Sequence, residues 1–156
     1  MIKIYTIEKT KKDNFSELNS YYKKMIMPFS KISEENMLNK EIIKAQNIGE
    51  KEAKKSYTNA FKPYMKSYNI CLDVQGVKLD TYEFTKLFDK NISFFIAGAY
   101  GFEYSFVSSC DKSISLSNLT FSHKLAKTIL YEQIYRALCI KNNHPYHKKE
   151  YERWRN

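Results

Sequence analysis

Short apolar runs rich in β-branched and aromatic residues recur along this 156-residue chain, and stretches with helical spacing separate them. That alternation constrains the fold more than any other feature. The spacing predicts strands over Ile2–Ile7, Asn69–Val74, Ile92–Ala97 and Ser113–Leu116, with a short one near Phe29–Ile32. Asn69–Val74 is bounded by Gln75-Gly76 and reads as a buried strand. Helices are predicted over Phe15–Met25, ended by Pro28, over Glu34–Phe61, and over Thr81–Asp89 with Asp80 as its N-cap. A short helix follows over Glu103–Cys110. The most strongly patterned segment is Ser122–Lys141, where Leu125, Ala126, Ile129, Leu130, Ile134, Ala137 and Leu138 share one face. Strands alternating with helices imply βαβ units. The expected class is therefore α/β, a mostly parallel sheet flanked by helices, with ligands bound beyond the carboxyl ends of the strands.

The length suits a single domain over residues 1–156. The longest apolar run, around Phe94–Ala99, is far too short to span a membrane. The alternating, then lysine-rich start lacks the apolar core of a signal peptide, so the expected location is cytoplasmic with no membrane partner. Cys71, Cys110 and Cys139 are odd in number and widely spaced, which fits small apolar side chains in a reducing compartment rather than a disulfide framework or zinc site. The net charge is +9. Residues 1–70 carry 14 Lys against 8 acids, and the remainder 12 Lys and Arg against 9, so the excess is not confined to one tail. Such a balance favours a polyanionic partner.

Three strand ends hold the residues with chemical potential: Leu72-Asp-Val-Gln-Gly76, Ile96-Ala-Gly-Ala-Tyr-Gly101 and Leu116-Ser-Asn-Leu-Thr-Phe121. The pair Gly98 and Gly101 reads either as a tight strand-to-helix turn or as a place for close approach by a ligand. It is neither a dinucleotide fingerprint nor a phosphate loop. Arg136 lies one helical turn beyond Glu132. It reads as a surface i,i+4 ion pair or as an arginine aimed at a phosphate or a base. His144-Pro-Tyr-His147 reads as two metal ligands without a third, as incidental residues of a tail, or as part of a site. Residues 148–156 form a basic, aromatic extension with the only Trp, suited to an RNA contact or to a packed or disordered end.

The run Ser113-Ile-Ser-Leu-Ser-Asn-Leu-Thr-Phe-Ser-His123, the segment Tyr131-Glu-Gln-Ile-Tyr-Arg-Ala137 and the cluster His144-Pro-Tyr-His147 together resemble the C-terminal signature of the RlmH family. These are small SPOUT-class methyltransferases that modify a pseudouridine in large-subunit ribosomal RNA. The resemblance extends in length and element order along essentially the whole chain and is sharpest from Ile96 to His147. It implies a deep trefoil knot at the C-terminus, a homodimer, and methyl transfer from S-adenosylmethionine to N3 of a pseudouridine in 23S ribosomal RNA on the assembled ribosome. Mapped by motif, it places the cofactor against Leu72, Ala97, Gly98, Gly101 and the run Leu116, Ser117, Asn118, Leu119, Thr120 and Phe121. Arg136, Tyr146 and His147 become the catalytic candidates, with His147 as proton acceptor and Tyr146 and His147 meeting the cofactor of the neighbouring protomer. No metal is implied. Ala97 stands where the family has a first glycine, Tyr100 lies inside the variable turn, and Ser122 replaces the proline before His123. A catalytically silent RNA- or ribosome-binding module, or a transferase of the same class acting on another RNA, would share this pattern.

Overall fold

The computed structural model describes residues 1–148. Five strands form one sheet in the order β2-β1-β4-β3-β5, and every neighbouring pair is parallel. The strands are β1 (Ile2–Thr6), β2 (Ile32–Asn36), β3 (Tyr68–Lys78), β4 (Ile92–Ile96) and β5 (Lys112–Ser115). The helices are α1 (Asn14–Ile26), α2 (Lys40–Ile48), α3 (Glu50–Phe61), α4 (Thr81–Thr85), α5 (Tyr104–Ser109) and α6 (His123–Lys141), with 3-10 turns at Lys62–Tyr64 and Lys86–Asp89.

Side chains alternate across a strand, so one run of residues feeds two cores. Ile2, Ile4, Ile70, Ile92, Phe94 and Ile96 point to the face covered by α1, α4 and α6. Tyr5, Ile7, Cys71, Phe95 and Ala97 point to the opposite face, under α2, α3 and α5. All five residues of β4 are buried, as a central strand covered on both sides requires. Each large apolar side chain so buried contributes about 1.5–3 kcal/mol. Handedness explains the sorting of helices. The crossovers β1→β2 and β3→β4 run one way along the sheet and place α1 and α4 on the first face. The crossovers β2→β3 and β4→β5 run the other way and place α2, α3 and α5 on the second. Opposite directions on opposite faces are what a single hand of crossover produces.

Two stretches differ from the sequence reading. The short strand is Ile32–Asn36 rather than near 29–32, and residues 34–61 are not one helix. β2 pairs only with β1 and carries Ser33-Glu-Glu-Asn36, a polar composition that suits a sheet edge. Asn39 then caps α2, its Oδ1 accepting from Ile42 N at 2.8 Å, and Gly49 separates α2 from α3. The second difference is β3, which runs on through Gln75-Gly76 to Lys78. Leu72 and Val77 both lie opposite Ile114, so residues 73–76 form an excursion beside β5. A Cβ on Gly76 would come within 2.5 Å of the Ile114 carbonyl carbon, so this return has room only for glycine.

The last helix decides where the site lies. β5 sits at one edge of the sheet, yet α6 packs on α1 and α4. Residues 116–122 must therefore cross back over the ends of β3 and β4, a path consistent with a threaded C-terminal segment. Ser122 caps α6, its Oγ accepting from Leu125 N at 3.3 Å. The helix is anchored by a buried charge. Lys127, 7 % exposed, is paired with Glu8 and with Glu34 at 3.0 Å, and Tyr131 donates its hydroxyl to Glu34 at 2.6 Å. Burial by itself lowers a lysine pKa, but the hydrogen bond to Glu8 and the charge of Glu34 outweigh it and hold Lys127 above its ordinary value.

Candidate functional site

The crossing of residues 116–122 closes a cavity of about 180 Å³ against the ends of β3 and β4. Of the residues expected from sequence, Leu72, Ala97, Gly101, Leu116, Ser117, Leu119 and Phe121 line it. Gly98, Asn118 and Thr120 do not. Gly98 faces Tyr57 instead, and a Cβ added there would lie 2.5 Å from the tyrosine hydroxyl oxygen. Tyr57 is fully buried on α3, and its hydroxyl accepts from Gln46 Nε2 at 2.7 Å. The missing side chain at 98 thus serves packing between the turn and α3. No pattern within the turn itself could have indicated this, because the partner lies about forty residues earlier.

The walls are largely apolar, from Leu72, Ile96, Ile114, Leu116 and Phe121. Asp73 is the one carboxylate on them, and His123 stands at the N-terminus of α6. The Asp73 Oδ1 accepts from Gln75 N at 2.8 Å, which fixes the excursion of β3. The far wall is braced locally. Ser115 Oγ donates to the Ser117 carbonyl at 2.8 Å, and Ser117 Oγ accepts from Leu119 N at 3.0 Å. Sequence reading passed over Asp73 because a single acid near a strand end carries no spacing signal.

The volume lies below the roughly 300–1,000 Å³ usual for ligand sites. A nucleoside-sized ligand would fill it and extend through the open side, past Leu119, whose side chain is 73 % exposed. A flat aromatic ring suits the apolar walls. A cationic group suits the Asp73 carboxylate. The lining therefore fits a nucleoside bearing a positive charge.

The catalytic candidates gather elsewhere. Glu132 Oε1 accepts from Arg136 Nε at 3.1 Å, from Arg136 Nη2 at 2.5 Å and from the Tyr146 hydroxyl at 3.0 Å. Gln133 Nε2 donates to its other oxygen at 2.6 Å. The guanidinium lies 4.9 Å from the centre of the Tyr146 ring, which also packs on Tyr135 at 4.6 Å. Burial and the Glu132 carboxylate push the Tyr146 phenol up, so it stays a neutral donor. Glu132 is thus more than an exposed i,i+4 partner, since it holds two of the three candidates. His144 accepts from Tyr146 N at 3.3 Å and meets Phe29 edge to face. Among the described residues, no three His, Cys, Asp or Glu side chains converge as metal ligands.

His147 Nδ1 lies 3.0 Å from Arg136 Nη1, and its ring meets Tyr82 edge to face. A guanidinium only donates. Nδ1 must therefore accept, and the imidazole carries its one proton on Nε2. In this arrangement the Nδ1 lone pair is occupied by Arg136.

The two groups sit at opposite ends of α6. From His123 at the cavity to Arg136 is thirteen residues, or about 20 Å at 1.5 Å per residue. One chain therefore brings together the cavity residues and, separately, Arg136, Tyr146 and His147. The extension beyond Lys148 lies outside the described residues.

A family model described as predicted SPOUT methyltransferase matches residues 1–147. The ribosomal RNA large subunit methyltransferase H of Aliarcobacter butzleri is 50% identical over 149 residues, covering 94% of this chain and 99% of that protein. The protein of the same name from Campylobacter lari matches with the same identity and coverage. Among solved structures, a probable methylase family protein from Haemophilus influenzae superposes with a TM-score of 0.55 at 14% identity, covering 95% of this chain and 70% of that one. This last likeness speaks to the fold alone.

Proposed function

The chain belongs to the SPOUT methyltransferase family, and we propose that it methylates N3 of a pseudouridine in 23S ribosomal RNA, using S-adenosylmethionine, on the assembled ribosome and as a homodimer. The observation that supports this reading is that the cavity and the cluster of Arg136, Tyr146 and His147 lie toward opposite ends of α6. A second copy, laid antiparallel, would bring its Arg136, Tyr146 and His147 to the open side of the first copy's cavity.

S-adenosylmethionine supplies an activated methyl group, so the protein's own work is placement and charge. Leu72, Ala97, Leu116, Ser117, Leu119 and Phe121 would hold the nucleoside part, with Asp73 facing positive charge. The arriving base must present N3 in line at roughly 3–3.5 Å. N3 attacks only after it gives up its proton to solvent, which leaves negative charge on the neighbouring carbonyl oxygens. Arg136 stabilises that charge, the His147 Nε2–H offers a hydrogen bond to it, and Tyr146, its hydroxyl held by Glu132, positions the base. Stacking on Tyr146 suits an unpaired base.

The test is transfer of labelled methyl from S-adenosylmethionine to intact ribosomes, with the modified nucleotide identified by mass spectrometry. Label at N3 of a large-subunit pseudouridine supports the proposal. Cofactor binding without transfer would mark a silent binding module. Label in another RNA would move the substrate assignment.

A further inference from the structure

A second cavity, of about 400 Å³, opens beside the first at the C-terminal edge of the sheet, a volume within the range of ordinary ligand sites. His123 lines both, so the two are neighbours across one side chain. Ile7, Phe15, Leu38 and Ala99 supply an apolar lining to the second one. Lys9 stands on its rim, and the loop between β1 and α1 continues from it as Thr10-Lys-Lys12. Lys9, Lys11 and Lys12 are exposed, and none makes an ion pair among the described residues. The nearby acids are already matched: Glu8 is paired with Lys127, and Asp13 with Lys124. The cleft thus joins an aromatic, apolar interior to an uncompensated run of three cations.

We propose that this cleft seats the nucleotide next to the one that is methylated, with its base against Phe15 and its phosphate on the Lys9–Lys12 loop. The inference rests on the RNA methyltransferase reading above and adds to it the state of the substrate. Two consecutive bases are unstacked, one at the mouth of each cavity, with His123 between them. Bases have apolar faces that stack on aromatic side chains whatever their identity, while lysines bind phosphate as point charges. Recognition of this kind selects an unpaired stretch of RNA over a duplex. The other occupant of suitable shape is a second copy of this chain, and the test separates the two.

Two variants of the full chain are used, Lys9→Glu/Lys11→Glu/Lys12→Glu and Phe15→p-benzoylphenylalanine. Charge reversal is expected to raise KM for ribosomes about tenfold or more, and to lower the slope of log affinity against log salt by about one for each phosphate no longer neutralised. Calorimetric affinity for S-adenosylmethionine and the oligomeric state stay as in the unaltered chain. On illumination, the photoreactive side chain is expected to link to ribosomal RNA beside the methylated nucleotide. An unchanged KM and salt slope overturn the proposal. So does a link to a second copy of the chain, or a change in oligomeric state on charge reversal. Failure of the parent reading looks different: the unaltered chain then transfers no methyl to ribosomes, while the salt slope and cross-link still report on the cleft.

Discussion

His147 shows how one contact redirects a residue's chemistry. Sequence alone makes a histidine near a reacting imide a candidate base. The 3.0 Å contact from Arg136 makes it a donor through Nε2. The two roles separate by substitution. His147→Gln keeps an N–H donor near the same place, whereas His147→Ala keeps none. Glutamine is expected to retain most of the methylation rate and alanine to lose about tenfold or more. Equal loss in single-turnover assays would return His147 to the role of base. Gly98 makes the complementary point about absence. Gly98→Ala is expected to cost about 1–3 kcal/mol of stability, since the Tyr57 hydroxyl stands where the methyl must go. Pairing it with Tyr57→Phe, which removes that oxygen, is expected to recover part of the loss in denaturant titrations. No recovery would mean that the turn, not Tyr57, refuses the methyl.

At the scale of elements, the buried Lys127 adds to the apolar stripe in fixing α6. Lys127→Met leaves Glu8 and Glu34 facing each other without a cation and is expected to cost about 3 kcal/mol or more. The double variant with Glu34→Gln is expected to be more stable than Lys127→Met alone. The pH dependence follows from the raised pKa. The folded chain holds this proton more tightly than the unfolded one, so the stabilisation is complete below the ordinary value of 10.5 and is lost as pH rises through the raised one. Tyr131 acts in the same sense, raised by burial and then by Glu34. Thermal unfolding of the unaltered chain should therefore weaken steeply above about pH 10, and that of Lys127→Met less so. Parallel curves would show that the pair contributes nothing.

For the whole molecule, the proposed homodimer with a site shared between copies predicts complementation. Ala126→Phe fills the cavity, and His147→Ala removes a candidate from the other end. Ala126→Phe is expected to be inactive alone and His147→Ala slower by about tenfold or more, while mixed dimers reach up to about a quarter to a half of the full activity, because one of their two composite sites carries neither change. Absence of regain, with mixed dimers verified by mass spectrometry, would place the whole site within one chain. Much of this architecture was legible from residue order. Period-two alternation in β1, the near-continuous apolar run of β4, the Asp80 and Ser122 caps and the stripe on α6 are local signals, and local sterics and burial produce them directly. The glutamates of β2 hid that strand, because an edge strand needs no apolar pattern and two adjacent acids look helical. The cavity was legible in outline, since three strand ends of a parallel sheet converge at one edge. Which residues face it was not, because Gly98 turns to Tyr57 and Asp73 turns inward only once β3 bulges beside Ile114. The chain by itself determined the α/β class, the direction of the strands and the edge at which ligands gather, because short-range periodicity suffices for these. Tertiary structure alone decided the partners of Lys127 and the seat of Gly98 against Tyr57, because each depends on contacts between residues far apart in sequence.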